Sequence, residues 1–272
     1  MEKIEFKKNE VNLFEIAQFV KLQKLNHFDV LTQAFKAKVL KDENLDLLFE
    51  FIQTINGTNE INSQLYQDMF AAFIINKNFE KSFLEFGATD GINLSNTYLL
   101  EKKFNWNGAL SEPSPQWHSK LFNNRSNSKI ITDCVWSKSG IQLEFFVSEV
   151  GVLSTINNFK ESDKKSMPGN TEARIKNGHI VKVNTISLND LIDKYFDCVS
   201  PTYISIDTEG SEFEILEKLD FKKHRPKVFT IEHNFTELQQ KIDGLMEKNY
   251  YKRIFDKITA FDAWYISEEV KI

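Results

Sequence analysis

The chain has 272 residues, 41% of them apolar and 27% charged, with a formal net charge of −5 at pH 7. That length suits one large domain, or one domain with an appendage, and the apolar share supports a sizeable core. Interspersed charges with an acidic balance disfavour a nucleic-acid partner, which would call for a basic face; no apolar run reaches membrane-spanning length; and Cys134 and Cys198, without CxxC spacing or a nearby His, give neither a zinc site nor a disulfide framework.

Residues 1–80 read as an all-helical N-terminal extension. Met1–Lys8 is charged and lacks the apolar stretch of a signal peptide, so a soluble cytoplasmic protein is expected. Apolar residues then recur at helical spacing: Leu13, Phe14, Ile16, Ala17, Phe19 and Val20, followed by Phe28, Leu31, Ala34, Phe35, Val39 and Leu40. A third helix is predicted from Leu45 to Ile55, closed by Asn56-Gly57, and a fourth from Ile61 to Asn76. Their wide apolar faces would cover one side of a sheet or form a homo-oligomer contact.

From Ser82 strands and helices alternate. Strand 82–87 leads through a glycine turn to a helix capped by Asn93 and running from Leu94 to Phe104. Strand 108–112, a helix opened by Pro115 and running to 124, and strand 129–135 follow. This spacing implies right-handed crossovers and a parallel sheet. Residues 140–180 interrupt it with a strand at Gln142–Val147 and a long polar stretch, Glu161–Gly178, of the kind that forms a functional lid or a mobile loop. Strand Val181–Ile186, helix 188–196, strand 202–207, helix 211–220, strand 227–232 and helix 236–247 resume the pattern. Tyr250–Phe255 and Ala263–Ser267 close the chain as an antiparallel hairpin. Both cysteines sit in apolar or strand-like surroundings and are expected to be buried thiols. The 24 phenylalanines are read as core filling. The basic run Lys222-Lys223-His224-Arg225 is read as cations at a helix C-terminus.

In an open α/β sheet, ligands bind outside the carboxyl ends of the strands. Here those ends carry Glu85 with Gly87, Asp90 and Gly91, then Glu112, Asp133, Asp207 with Glu209, and Glu232 with His233. An acid at the end of the second strand can accept from both ribose hydroxyls, a device common to NAD and S-adenosylmethionine enzymes. The glycine turn discriminates between them. Gly87-Ala88-Thr89-Asp90-Gly91 puts Thr89 where a dinucleotide fingerprint needs glycine, and the Asp90 carboxylate would repel a pyrophosphate but suit a cationic amino-acid end. An NAD(P) oxidoreductase is therefore a weaker rival, and a non-catalytic cofactor-binding scaffold is another.

Phe83–Gly91 with Glu112-Pro113, and above all Ile206-Asp207-Thr208-Glu209-Gly210-Ser211-Glu212-Phe213-Glu214-Ile215-Leu216 with Glu232-His233-Asn234, resemble the motifs of FkbM-type methyltransferases. Ser63-Gln64 and Gln67-Asp68 resemble that family's helix before the first strand, and Thr89 stands where Asn is more usual. The resemblance covers about 61–235. It implies a seven-stranded, mostly parallel Rossmann-like α/β sheet over 81–272, with 140–180 as a substrate-side insertion. It also implies S-adenosylmethionine as donor and O-methylation of a sugar or polyketide hydroxyl. Glu85, Gly87, Ala88, Asp90 and Gly91 would line the methionine part, and Glu112, beside Pro113, would hold the ribose. Asp133 would face the adenine amino group with Cys134 and Val135 beside the ring, and Asp207 would close a further edge.

The expected acceptor is a small-molecule sugar, either nucleotide-linked or a surface polysaccharide precursor, and the composition has the look of a bacterial protein from an AT-rich genome. Its hydroxyl must lose a proton as the methyl transfers. His233 is the first candidate base by intrinsic pKa, followed by Asp207 and Glu209. A metal-free route is preferred to a divalent ion held by Asp207 with Glu232, His233 or Asn234.

Overall fold

The computed structural model describes residues 11–36, 44–56, 58, 61–75 and 79–271. Met1–Lys8, Val39, Leu40, Gly57 and Asn76, which figured in the sequence reading, lie outside the described residues. Four helices come first: α1 (Leu13–Gln23), α2 (His27–Lys36), α3 (Leu45–Thr54) and α4 (Gln67–Ile75). The side chain of Asn12 caps α1 by accepting from Glu15 N at 3.0 Å. α4 starts at Gln67 rather than near Ile61. Tyr66 is left-handed (φ 68°), and Asp68 takes Ser63 Oγ at 2.7 Å and Met69 N at 2.8 Å, so the chain turns before it coils.

The main sheet contains β1 (Ser82–Phe86), β2 (Asn107–Ser111), β3 (Lys129–Ile131), β8 (Tyr203–Ile206), β9 (Val228–Glu232), β10 (Tyr251–Ile254) and β11 (Asp262–Ser267). Their order is β10-β11-β9-β8-β1-β2-β3. β9, β8, β1, β2 and β3 are parallel, and β11 runs antiparallel to both β9 and β10, so the closing hairpin is present. The register places Phe86 beside both Ser111 and Ile206, and Glu232 opposite Asp262, so the strand ends that carry polar groups lie side by side.

Alternation in the strands sends side chains to two cores. Phe83, Tyr203, Val228 and Trp264 pack with the N-terminal helices, where Phe70 stacks on Trp264 (ring centroids 4.4 Å apart) and Phe51 on Phe255 (5.8 Å). Leu84, Ile204 and Phe229 pack on the opposite face with α8 (Leu188–Tyr195), α9 (Glu212–Leu216) and α10 (Leu238–Lys248). The N-terminal helices therefore cover a sheet face.

Several expected elements are shorter or differently placed. The helix expected from Leu94 to Phe104 is only α5 (Tyr98–Lys102), because the backbone and hydroxyls of 95–97 are drawn to a buried carboxylate described below. The strand expected over 129–135 breaks at Thr132-Asp133. β3 stays in the main sheet, and β4 (Cys134–Trp136) moves to a second, four-stranded sheet. That sheet has the order β4-β7-β5-β6, with β5 (Gln142–Val147), β6 (Thr155–Ile156) and β7 (His179–Ser187). The polar stretch within 140–180 is not one long loop, since it contains β6 and helix α7 (Pro168–Ile175). α6 (Pro115–Asn124) begins at proline as expected. α9 stops at Leu216, and Asp220 Oδ1 accepts from Lys222 N and Lys223 N in a following turn. The basic run is therefore not a helix end: Lys223 pairs with Asp193, Arg225 with Glu269, and His224 is buried. Cys134 is buried as expected, but Cys198 is exposed, on a left-handed turn (φ 63°) after α8. Among the described residues, no helix is long and apolar enough to cross a membrane.

Candidate active site

A cavity of about 240 Å³ opens at the carboxyl ends of β1, β2, β8 and β9. Five carboxylic side chains line it: Glu85, Glu112, Asp207, Glu209 and Glu232. Among the described residues, no Lys, Arg or His does. A cavity lined by acids and, among the described residues, by no basic side chain suits a positively charged ligand.

Its β1 wall is built on buried polar pairs. Glu85 accepts from Ser95 Oγ (3.0 Å), Asn96 N (2.7 Å) and Thr97 Oγ1, which ties the loop before α5 to the strand end. Burial raises the Glu85 pKa, and the nearby Arg125 guanidinium opposes that rise. Arg125, fully buried, donates to Glu101 Oε2 (2.7 Å), Gly91 O (3.1 Å) and Thr97 Oγ1 (3.0 Å). Gly87 is left-handed (φ 71°), and a Cβ there would lie 1.9 Å from Asp207 O. Its glycine is required by the close approach of the β1 and β8 loops. Ala88 and Thr89 line the cavity beside it. Asp90 and Gly91 do not. The Asp90 carboxylate closes its own turn, taking Ile92 N (2.9 Å), Asn93 N (2.8 Å) and Asn93 Nδ2 (2.6 Å). The expected electrostatic role of Asp90 toward a cationic ligand, and the expected helix cap at Asn93, are both replaced by this turn.

On the β2 side, Glu112 accepts from Ser114 N at 2.7 Å through Oε1 and from Thr89 N at 2.9 Å through Oε2. Each oxygen retains a second acceptor direction for a ligand hydroxyl. Burial pushes Glu112 up to about 7 against these hydrogen bonds. Pro113, Cys134 and Val135 continue the wall. Burial, with Glu112 and Asp133 adding to it, pushes the Cys134 thiol up to about 12, so it is a neutral contact surface. Asp133 lies outside the cavity. Its backbone carbonyl, at the break between β3 and β4, accepts from Ser111 Oγ at 2.9 Å.

Asp207, Glu209 and Glu232 converge at the β8–β9 end, each offering an oxygen within 4.8 Å of the others. Burial raises Asp207 and Glu232 well above the usual carboxylate range, and the neighbouring acids add to this. Carboxyl groups this close favour holding a proton over ionising together. Burial also pushes Glu209 up to about 7, with Arg174 pulling the other way. Arg174, fully buried in α7, donates to Glu209 Oε2 (2.5 Å), Asp163 Oδ1 (2.7 Å) and Oδ2 (3.1 Å), Leu153 O (2.8 Å) and Lys160 O (3.2 Å). Asn234 Nδ2 donates to Glu232 Oε2 at 2.7 Å and reaches Glu209 Oε2 at 3.4 Å. Glu212 Oε1 gathers Thr208 N, Gly210 N and Thr208 Oγ1, which shapes the loop that carries Asp207 and Glu209.

His233, first in line as a base from the sequence, does not face the cavity. Its Nδ1 accepts from Phe235 N at 3.1 Å, and its Nε2 lies 3.5 Å from Arg253 Nη2. Burial and the Arg253 charge hold its pKa down at about 4. Side chains alternate across a strand end, so the neighbours Glu232 and Asn234 enter the site while His233 turns away. Arg174 and Asp163 were not anticipated. Arg174 meets Asp163 and Glu209 across separations of 11 and 35 residues, which leave no local sequence signal.

The family model described as the methyltransferase FkbM domain matches residues 85–261. Among solved structures, the chain is similar to a precorrin-6y C5,15-methyltransferase from Geobacter metallireducens: 10% identity, 68% of this chain, 71% of that chain, TM-score 0.37. It is also similar to a fibrillarin pre-rRNA processing protein of Methanococcus jannaschii: 12% identity, 73% of each chain, TM-score 0.35. Likenesses this distant carry no argument about substrate. No curated protein matches the chain.

Proposed function

The chain belongs to the FkbM family of methyltransferases, with S-adenosylmethionine as cofactor, and from that premise we propose O-methylation of a carbohydrate hydroxyl in surface polysaccharide synthesis. In this reading residues 81–272 are the transferase domain, 140–180 its acceptor-side insertion and 1–80 a helical cap. The observation that carries the proposal is the cavity lined by five acids and, among the described residues, no cation. It suits a donor bearing a sulfonium and an ammonium, and it leaves carboxylates as the groups able to take the acceptor's proton.

Glu112 would hold the ribose hydroxyls, Cys134 and Val135 would flank the adenine, and Glu85, Gly87, Ala88 and Thr89 would border the methionine part. Asp207 would lie between donor and acceptor. An acceptor oxygen attacks the methyl carbon in line. Bound S-adenosylmethionine would supply an electrophilic methyl and leave as a neutral thioether, and the hydroxyl proton would pass to the Asp207–Glu209–Glu232 group. Arg174 and Asn234 orient Glu209 for this. His233 is not assigned the base role, because its ring nitrogens are engaged outside the cavity.

The close approach of the three carboxylates favours a second reading, in which they hold a divalent cation that polarises the hydroxyl. Full turnover after exhaustive chelation would dismiss it. The main proposal is tested by calorimetry with S-adenosylhomocysteine and NAD, then by labelled methyl transfer to a carbohydrate panel with wild type and Asp207→Asn. Micromolar binding of the former ligand alone, and transfer lost in the variant, are expected. Label arriving on nitrogen would refute O-methylation.

A further inference from the structure

The cavity extends beyond the walls assigned to the donor. Phe14 of α1, Gln64 before α4, Met167 and Asn170 at the start of α7, Asn234 after β9 and Phe261 before β11 all line it. The first two lie outside the family domain, which starts at residue 85. They are fixed in place. Leu13 N donates to Ile258 O at 3.0 Å, and Phe14 packs edge-on against Phe261 with centroids 5.1 Å apart. Asn62 Nδ2 donates to Ile92 O at 3.1 Å, which holds the segment bearing Gln64 over the loop after β1. Phe261 O accepts from His233 N (2.9 Å) and Asn234 N (3.2 Å), so this aromatic pair adjoins the residue that touches Glu232 and Glu209. In the sheet order, β9 and β2 lie on opposite sides of β8 and β1. The aromatic pair thus sits across the carboxylate cluster from Glu112.

We infer that the N-terminal helical segment completes the acceptor subsite, and that this subsite takes an uncharged, hydroxyl-bearing ring and rejects a phosphorylated one. The inference rests on the proposed donor placement. Phe14 and Phe261 present an apolar surface to the C–H face of such a ring. Gln64, Asn170 and Asn234 offer amides to its hydroxyls. Among the described residues no Lys, Arg or His lines the cavity, so a phosphate inside it would meet carboxylates and no basic side chain to pair with. Acceptor choice therefore resides partly in sequence that the family domain does not contain.

The test is saturation-transfer NMR on the full chain with excess S-adenosylhomocysteine, using methyl glycosides of glucose, galactose and mannose against the corresponding 6-phosphates. Transfer to ring C–H protons of at least one neutral glycoside is expected, with none to the phosphates. Phe14→Ala should cut that transfer at least fivefold while S-adenosylhomocysteine affinity stays within twofold by calorimetry. If Phe14→Ala also loses that affinity, Phe14→Leu, which keeps apolar volume without the flat ring, is held to the same expectations. Equal transfer to phosphates, no neutral glycoside detected at millimolar concentration, or transfer unchanged in the Phe14 variant would overturn the inference while leaving the donor assignment standing. Failure of the wild type to bind S-adenosylhomocysteine would instead remove the donor assignment, and the inference with it.

Discussion

Arg174→Met should show how far the 140–180 segment holds the active carboxylates in place. The guanidinium is fully buried and satisfies Asp163, Glu209 and two backbone carbonyls. Methionine fills a similar volume but leaves two buried carboxyl groups without their counter-ion. Breaking a buried pair by removing one partner costs about 3–5 kcal/mol. At roughly 2–4 °C per kcal/mol for chains of this size, the melting midpoint should fall by about 6–20 °C. The pH dependence has a definite sign. Without Arg174 the folded-state pKa of Glu209 rises further above its unfolded value, so the folded state binds more protons than the unfolded state across that interval. Stability then falls as pH rises, and the gap to wild type should be wider at pH 8 than at pH 5.5. Scanning calorimetry or urea titration at the two pH values measures it. A loss below about 1 kcal/mol, or a gap that narrows as pH rises, would refute the claim that Arg174 neutralises these acids.

Other outcomes follow from the same geometry. Glu112→Ala should weaken S-adenosylhomocysteine binding by about 1.5–3 kcal/mol, roughly 10- to 150-fold, since it removes a charged acceptor and unties Thr89 N; a change under threefold by calorimetry would count against the ribose role. Gly87→Ala should lower the denaturation midpoint and the ligand affinity together, because its Cβ would meet Asp207 O. His233→Ala should leave turnover within a fewfold of wild type once an acceptor is found, and a loss of several orders of magnitude would restore it as the base. For the ligand-free wild type, Glu112 and Glu209 are raised from 4.5 to about 7, so their contribution to stability is fully present below pH 4.5 and is lost as pH rises through about 7. Thermal melts at pH 5 and 7.5 check that sign.

Much of this protein could be read along the chain because its signals are local. Alternating apolar runs, Pro115 at a helix start and the closing hairpin depend on neighbours within a few residues, and each is where the sequence places it. The 206–216 motif with Glu112 located the cavity wall for the same reason. Asp90 shows the limit. A carboxylate in a glycine turn looks like a ligand group, but its own turn offers two backbone N–H groups and the Asn93 amide at closer range. His233 shows another: a one-residue step along a strand end decides which side chain enters the site, and pattern alone does not mark that step.

The sequence by itself determined most of the elements, their alternation and the acids at the strand ends, since backbone propensity and side-chain periodicity act over a turn or a strand. Only the tertiary structure decided which acids meet. It brought Arg174 to Glu209, set Asp207 beside Glu232, turned His233 away from the cavity and carried Phe14 from the first helix to Phe261. Those contacts join residues far apart in the chain, and burial then sets their charge states, because desolvation depends on what the whole fold packs around each group.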